Sequence, residues 1–409
     1  MHQSSFQFEG GKGQTLAGVI EHPVGKASAW AIFAHCFTCT RDSLGAVAIS
    51  RALARQGIGV LRFDFTGLGE SEGDFGADGI SGDIADLEAA VQAMENAGHP
   101  VSLLVGHSLG GAAVLHAAGG LDSVKAVVTV GAPADPAHVL KLLGEDRQRV
   151  EEDGRAEVSI GGRPFCVSKD LIHSMENQPW QERIAGLRRP LLIMHSPLDR
   201  IVSVDNAADI FAAAKHPKSF VSLDQADHLL TKRDDANWAA EVIASWADRY
   251  LLSDTSTNTE DESEGVITTT AGNGFLTEVV ARRHHSLADE PKRVGGSDLG
   301  PTPYDLLGAA LGSCTGMTLG MYARHKDLDL EEVQVRVRHD RIHATDCENC
   351  ESKEGKVDRF TRIVSIKGEL TAEERQRLLE IADRCPVHRT LENEISIETR
   401  LADSPSSDS

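Results

Sequence analysis

Residues 101–119, "VSLLVGHSLGGAAVLHAAG", run from an unbroken apolar stretch through Gly106-His107-Ser108-Leu109-Gly110 into a segment rich in alanine. The apolar stretch is read as a strand buried on both faces, and the alanine-rich part as a helix. A serine at such a strand-to-helix junction sits on a tight turn that exposes its hydroxyl, which is the context a G-x-S-x-G nucleophile requires. Five residues with three fixed say little alone. The surroundings decide.

On either side, "WAIFAH" (30–35), "IGVLRFD" (58–64), "KAVVTVGAP" (125–133) and "PLLIMHS" (190–196) are further apolar runs. Between them lie amphipathic patterns such as "SLGAVAISRALARQG" (43–57) and "GISGDIADLEAAVQAMENAG" (79–98). Strands alternating with helices predict a mostly parallel sheet with helices on both faces. "FQFEGGKGQTLAGVIEHP" (6–23) reads as an opening antiparallel hairpin.

A serine alcohol attacks only when a base takes its proton, so two partners should follow in the order acid, then histidine. "PLLIMHSPLDRIV" puts Asp199 in the loop after one buried strand, and "SFVSLDQADHLL" puts His228 in the loop after the next. With "GHSLGG", "FDFTGLGESEG" (63–73), "HSPLDRIV" and "ADHLL", residues 1–252 resemble the α/β-hydrolase family. The resemblance implies Ser108 as nucleophile, His228 as general base and acid, and Asp199 as its orienter. It also implies an oxyanion hole from the backbone N–H of Leu109 and a second donor in "FAHCFTCTRDS" (33–43), assigned to Phe37. Cys36 stands where relatives carry glycine. Cys36 and Cys39 read either as two small packed thiols or as a pair whose oxidation distorts the hole. The segment between Pro133 and Arg189, where this family inserts lids, is short and polar ("GEDRQRVEEDGRAEVSIGGRP", 144–164). Small or medium acyl esters are therefore expected as substrates, and no cofactor.

At 409 residues the chain exceeds one ordinary core, so two domains are expected. The net charge of −21 argues against nucleic acid and anionic membranes as partners. No unbroken apolar run reaches the length of a membrane span, and the first residues lack a secretory pattern. The chain is read as soluble and cytoplasmic, where its 7 cysteines would be free thiols unless a function pairs them. "SDTSTNTEDESEG" (253–265) has no apolar residue and reads as a solvated linker.

Residues 266–403 have a different texture, and 404–409 read as a disordered tail. "GVITTTAGNGFLTEVVA" (265–281) suggests paired strands, and "YDLLGAALGSCTGMTLGMYARHK" (304–326) a long apolar helix with Leu307, Ala310, Leu311, Cys314, Met317 and Met321 on one stripe. Strands at "VQVRVRHDRIH" (333–343) and "FTRIVSIKGEL" (360–370), a helix at 371–385 and a last strand at "EISIETR" (394–400) complete an α+β pattern. By pattern alone Cys314 and Cys385 are packed core thiols. However, "GPTPYDLLGAALGSCTGMTL" (300–319) and "ADRCPVHRTL" (382–391) resemble the two cysteine motifs of the OsmC/Ohr family. That resemblance implies Cys314 as the thiolate attacking an organic hydroperoxide, Cys385 as the resolving thiol, a dithiol reductant, and a homodimer through this domain. The glutamate of the hydroperoxidase branch is replaced by Tyr304 and Asp305. Its arginine is missing too, leaving Arg282, Arg283 and Glu290 as substitutes.

His339, His343, Cys347 and Cys350 mimic a zinc set, but histidines four residues apart on a strand stand about 13 Å apart. No metal is expected there. The sequence thus predicts a serine carboxylesterase fused to an OsmC-like thiol domain. The alternatives are a thiol peroxidase whose hydrolase part delivers substrate, and an esterase whose second domain only dimerises.

Overall fold

The computed structural model describes residues 2–36, 39–74, 79–144, 146–160, 163–176, 179–251, 265–270, 272, 274–282, 284–343 and 355–401. Most of the acidic stretch 253–265, the tail 404–409, Phe37, Arg283, Cys347 and Cys350 lie outside the described residues. By packing, the chain divides between His285 and Ser286.

The first unit holds β1 (His2–Glu9), β2 (Thr15–His22), β3 (Ala29–Ala34), α1 (Leu44–Arg55), β4 (Ile58–Phe63), α2 (Gly79–Asn96), β5 (Val101–His107), α3 (Leu109–Ala117) and β6 (Ala126–Val130). There follow α4 (Asp146–Asp153), β7 (Arg155–Ile160), β8 (Arg163–Ser168), α5 (Lys169–Glu176), α6 (Trp180–Gly186), β9 (Leu191–His195), α7 (Asp205–Ala213), β10 (Lys218–Ser222) and α8 (Arg233–Leu251). Eight strands form one sheet in the order β1-β2-β4-β3-β5-β6-β9-β10. The opening hairpin is antiparallel to its neighbours, and β4, β3, β5, β6, β9 and β10 run parallel.

Alternation within each strand feeds two cores. Ile32 and Leu104 face α2 and α3, while Phe33, Leu103 and Val105 face α1 and α8. Because the chain leaves β3 toward β4 on one side and later enters β5 on the other, the loops after β3 and β5 diverge. They leave a crevice at the carboxyl ends of the strands, where parallel sheets place their ligands. The inserted segment is less polar than its composition suggests. Val150, Val158, Val167, Leu171, Ile172, Met175 and Trp180 turn inward and are buried against the α2–α3 core.

Strands β11 (Val266–Thr270) and β12 (Thr277–Ala281) pair antiparallel. They group with the first unit, although the sequence reading placed them with the second. The Glu278 carboxylate lies where a Cβ on Gly25 would stand, which ties β12 to the turn after β2.

The second unit begins within β13 (His284–Ala288) and contains α9 (Pro303–Lys326), β14 (Glu332–His343), β15 (Lys356–Lys367), α10 (Ala372–Ala382) and α11 (Pro386–Glu392). Thr302–Asp305 and Thr371–Glu374 capping boxes start α9 and α10. Leu319, Leu378, Ile381 and Ala382 form its core, against the inward faces of β14 and β15.

Three expectations are corrected here. The buried stripe of α9 is Leu311, Thr315, Leu319 and Ala323, whereas Met317 and Met321 are 69% and 59% exposed. A helix apolar around most of its circumference gives periodicity no single answer. The same helix is, among the described residues, long and apolar enough to cross a membrane by length and composition. Its apolar residues are interrupted by polar ones, so no unbroken run marks it. Finally, residues 394–400 form no strand, and Ile397 is 84% exposed; a strand needs a neighbour's backbone groups, and among the described residues none pairs with this segment.

Candidate active site

Ser108 sits between β5 and α3 with φ 54° and ψ −122°, a backbone state L-residues seldom adopt. The fold holds it there from both sides. Its N–H donates to the Val130 carbonyl (2.9 Å), and the N–H of Gly111 returns to its own carbonyl (2.8 Å). The flanking glycines are steric requirements. A Cβ on Gly106 would stand 2.4 Å from the Gly110 carbonyl oxygen, and one on Gly110 would stand 2.4 Å and 2.5 Å from the carbonyl oxygens of Ala34 and His35.

The loops after β9 and β10 bring up the other two side chains. The Ser108 hydroxyl lies 2.9 Å from His228 Nε2, and His228 Nδ1 lies 2.6 Å from Asp199 Oδ2. A carboxylate only accepts, so Nδ1 carries the proton and Nε2 presents its lone pair to the serine. Burial alone would raise the Asp199 pKa. The hydrogen bond from His228 and the amides of Val202 and Ile201 outweigh that and hold it below the usual range. The imidazole is therefore held in one tautomer by a charged acceptor, and a proton arriving at Nε2 gives an imidazolium beside that charge.

Leu109 opens α3, so its N–H has no acceptor within the helix and points toward the serine's end of the turn. Beside it, Phe65, Leu68, Ala113, His35 and Asp83 line a cavity of about 10 Å³, room for roughly one water. Burial, followed by the charge of Asp86, pushes the Asp83 carboxyl up to about 8, so it is neutral at pH 7. The loop after β3 is braced from β4. Asp64 accepts the Arg41 N–H (2.7 Å) and its guanidinium, while Arg62 Nη1 donates to the Arg41 carbonyl and to Asp42 (3.0 Å). In this loop Cys36 and Cys39 are joined as a disulfide. Phe37, the expected second oxyanion donor, lies outside the described residues.

His107, next to the nucleophile, donates Nε2–H to the His228 carbonyl (2.6 Å). Burial, reinforced by the charge of His228, lowers its pKa to about 3, so it is neutral. Sequence reading passed over this brace, because nothing in a G-x-S-x-G pattern marks the x as a partner of the distant histidine.

In the second unit Cys385 is fully buried at the start of α11. Its sulfur accepts the His388 N–H (3.3 Å) and lies 3.6 Å from Thr315 Oγ1. Arg362 of β15 donates to Thr315 Oγ1 (2.8 Å) and to the Ala382 carbonyl (3.0 Å), and pairs with Asp383 (2.6 Å). Burial works against the Cys385 thiolate. The His388 amide, Thr315, a hydrogen bond from Cys314 and the Arg362 charge together bring its pKa below the ordinary value. The two thiols implied by resemblance are thus brought together, and the cation beside them is Arg362. It was legible in principle, being an arginine on the same inward face of β15 as Val364 and Ile366. His339, from the rejected zinc set, is engaged by Asp358 (2.9 Å) and stacked on Tyr304.

A strained serine after a central parallel strand, facing a histidine from a later loop on a doubly covered sheet, defines an α/β hydrolase. The alpha/beta hydrolase family model matches residues 31–294, and an OsmC-like protein model matches residues 295–400. The chain belongs to the alpha/beta hydrolase family and carries a C-terminal OsmC-like domain. It is 48% identical to the esterase domain of a Rhodothermus marinus protein, over 61% of this chain and 100% of that one, with a TM-score of 0.52. The fold is shared with Est1E from Butyrivibrio proteoclasticus, solved with ferulic acid bound (19% identity, 60% of this chain and 99% of that one, TM-score 0.54). It is shared also with a putative hydrolase from Agrobacterium vitis S4 (19% identity, 60% and 98%, TM-score 0.51). No curated protein matches the chain. The protein is an esterase-like α/β hydrolase with an OsmC-like domain.

Proposed function

We propose that the first domain is a carboxylesterase acting on small and medium acyl esters through Ser108, His228 and Asp199. The observation that carries the reading is the unbroken line from the Ser108 hydroxyl to His228 (2.9 Å) to Asp199 (2.6 Å). The serine oxygen attacks the ester carbonyl carbon while its proton passes to His228 Nε2. The carbonyl oxygen takes up negative charge against the Leu109 N–H. The alcohol then leaves with the proton from His228, and water, deprotonated by the same nitrogen, hydrolyses the acyl-serine. The short segment between Pro133 and Arg189, whose apolar side chains are spent on packing against the α2–α3 core, supports short and medium acyl groups. On p-nitrophenyl esters from acetate to palmitate, kcat/KM is expected to fall roughly tenfold or more once the chain passes about eight carbons. A maximum at palmitate would refute the size reading.

The Cys314–Cys385 pair beside Arg362 favours a second activity, reduction of organic hydroperoxides. One thiolate attacks the peroxide oxygen, the O–O bond breaks, an alcohol leaves, and a sulfenic acid remains. The partner thiol displaces water from it to form a disulfide, which a dithiol reductant reopens. The resemblance gives the attack to Cys314. In Cys385→Ser, a sulfenic acid trapped by dimedone should then accumulate on Cys314, and hydroperoxide consumption should cease after one equivalent. No trapping on Cys314 in that variant, and none on Cys385 in Cys314→Ser, would remove the peroxidase reading. The exposed Met317 and Met321 support a second copy as partner of this domain.

A further inference from the structure

The loop after β3 contains a donor set that hydrolysis does not use. Cys36 Sγ, Cys39 Sγ and a ring nitrogen of His107 all lie within 4.8 Å of one another. Cys36 and His107 are buried, and Cys39 is half-buried. These three come from two places in the chain, a C-x-x-C turn closed by the Cys39 N–H to the Cys36 carbonyl (3.1 Å) and the residue at the end of β5. The His107 ring is already oriented. Its Nε2–H is committed to the His228 carbonyl, so Nδ1 is the nitrogen left with a lone pair. A ligating imidazole ordinarily donates its other N–H to a carbonyl or carboxylate in this way.

We propose that the dithiol form of this loop binds a thiophilic divalent cation, zinc, through Cys36, Cys39 and His107, and that the disulfide and the metal exclude each other. Charge and geometry both fit. Two thiolates neutralise the dication, the neutral imidazole adds none, and a buried site tolerates a neutral assembly far better than a free ion. Tetrahedral bonds of about 2.3 Å to sulfur separate the two sulfurs by roughly 3.7 Å, a separation that side chains on Cα atoms 5.2 Å apart can span. His35 cannot be the fourth ligand, because Nδ1–H is given to the Cys36 carbonyl (2.8 Å) and Nε2 accepts the Phe65 N–H (3.4 Å). That position falls to water. The conversion balances. A dithiol reductant exchanges with the Cys36–Cys39 bond, leaving two thiols here and a disulfide on the reductant, and zinc then displaces the two thiol protons. Nothing in this depends on the role assigned to Ser108.

The test uses the full chain, reduced with a dithiol and freed of it under anaerobic conditions. Iodoacetamide labelling is followed peptide by peptide with mass spectrometry, which reads Cys36 and Cys39 separately from the other thiols. One equivalent of zinc is expected to slow alkylation of both by roughly tenfold or more, since a metal-bound thiolate is no longer a free nucleophile. Cobalt in place of zinc should give a thiolate-to-metal charge-transfer band, lost when the chain is oxidised beforehand. Protection should weaken in His107→Gln. Unchanged alkylation of Cys36 and Cys39 with zinc overturns the proposal, as does protection that persists in full in His107→Gln.

Discussion

Ser108→Ala is expected to lower p-nitrophenyl ester turnover by about 10⁴-fold or more while leaving the protein folded. The size follows from the geometry. His228 has its lone pair aimed at the serine oxygen alone, so without that oxygen the site retains the Leu109 amide and whatever binding the crevice offers. Stability should hold or rise slightly, because Ser108 is 7% exposed and sits on a strained turn that alanine tolerates no worse. Steady-state kinetics and a thermal melt on the same sample check both halves. Retained turnover would mean that another nucleophile performs the chemistry. Thiol alkylation at Cys314 and Cys385 should be unchanged in this variant, which separates the two proposed activities.

Gly110→Ala carries the second large effect, and here stability and activity should fall together. The new Cβ would press on the carbonyl oxygens of Ala34 and His35, both backbone atoms at the end of the innermost strand and its loop. Neither can swing aside as a flexible side chain would. Relief requires α3 to move off β3, which opens the crevice and displaces the Leu109 N–H. The expected cost is about 3 kcal/mol, with a fall in Tm of roughly 6–12 °C for a unit of this size. Gly119→Ala, where the added carbon meets nothing within 4 Å, is the control and should change little. Equal melting curves for the two variants would show that the close approach of α3 to β3 is not needed.

The parallel sheet was legible because its strands are covered on both faces and so appear as continuous apolar runs, "VSLLVGH" and "PLLIMHS" among them. The positions of Ser108, Asp199 and His228 were legible because loops after successive strands return to one edge of the sheet. The second unit was harder to read. Periodicity could not phase α9, where glycine, alanine and methionine surround the helix. It also reads 394–400 as a strand, since alternating Ile395 and Ile397 fit a pattern that finds no pairing partner among the described residues. Arg362 is not legible from the resemblance, which places the cation in the opening strands, whereas the chain supplies it from β15, far along in sequence and adjacent only after folding. His107 escaped for a similar reason, as its partner is a carbonyl 121 positions away.

The guanidinium of Arg362 reaches a hydroxyl, a helix-end carbonyl and a carboxylate at once. The residue that tunes the sulfur is therefore also the clasp between β15 and the end of α10. Chemical temperament and mechanical integrity are vested in one side chain, so a lineage could not quieten the thiol by discarding this arginine without also loosening the frame that holds it.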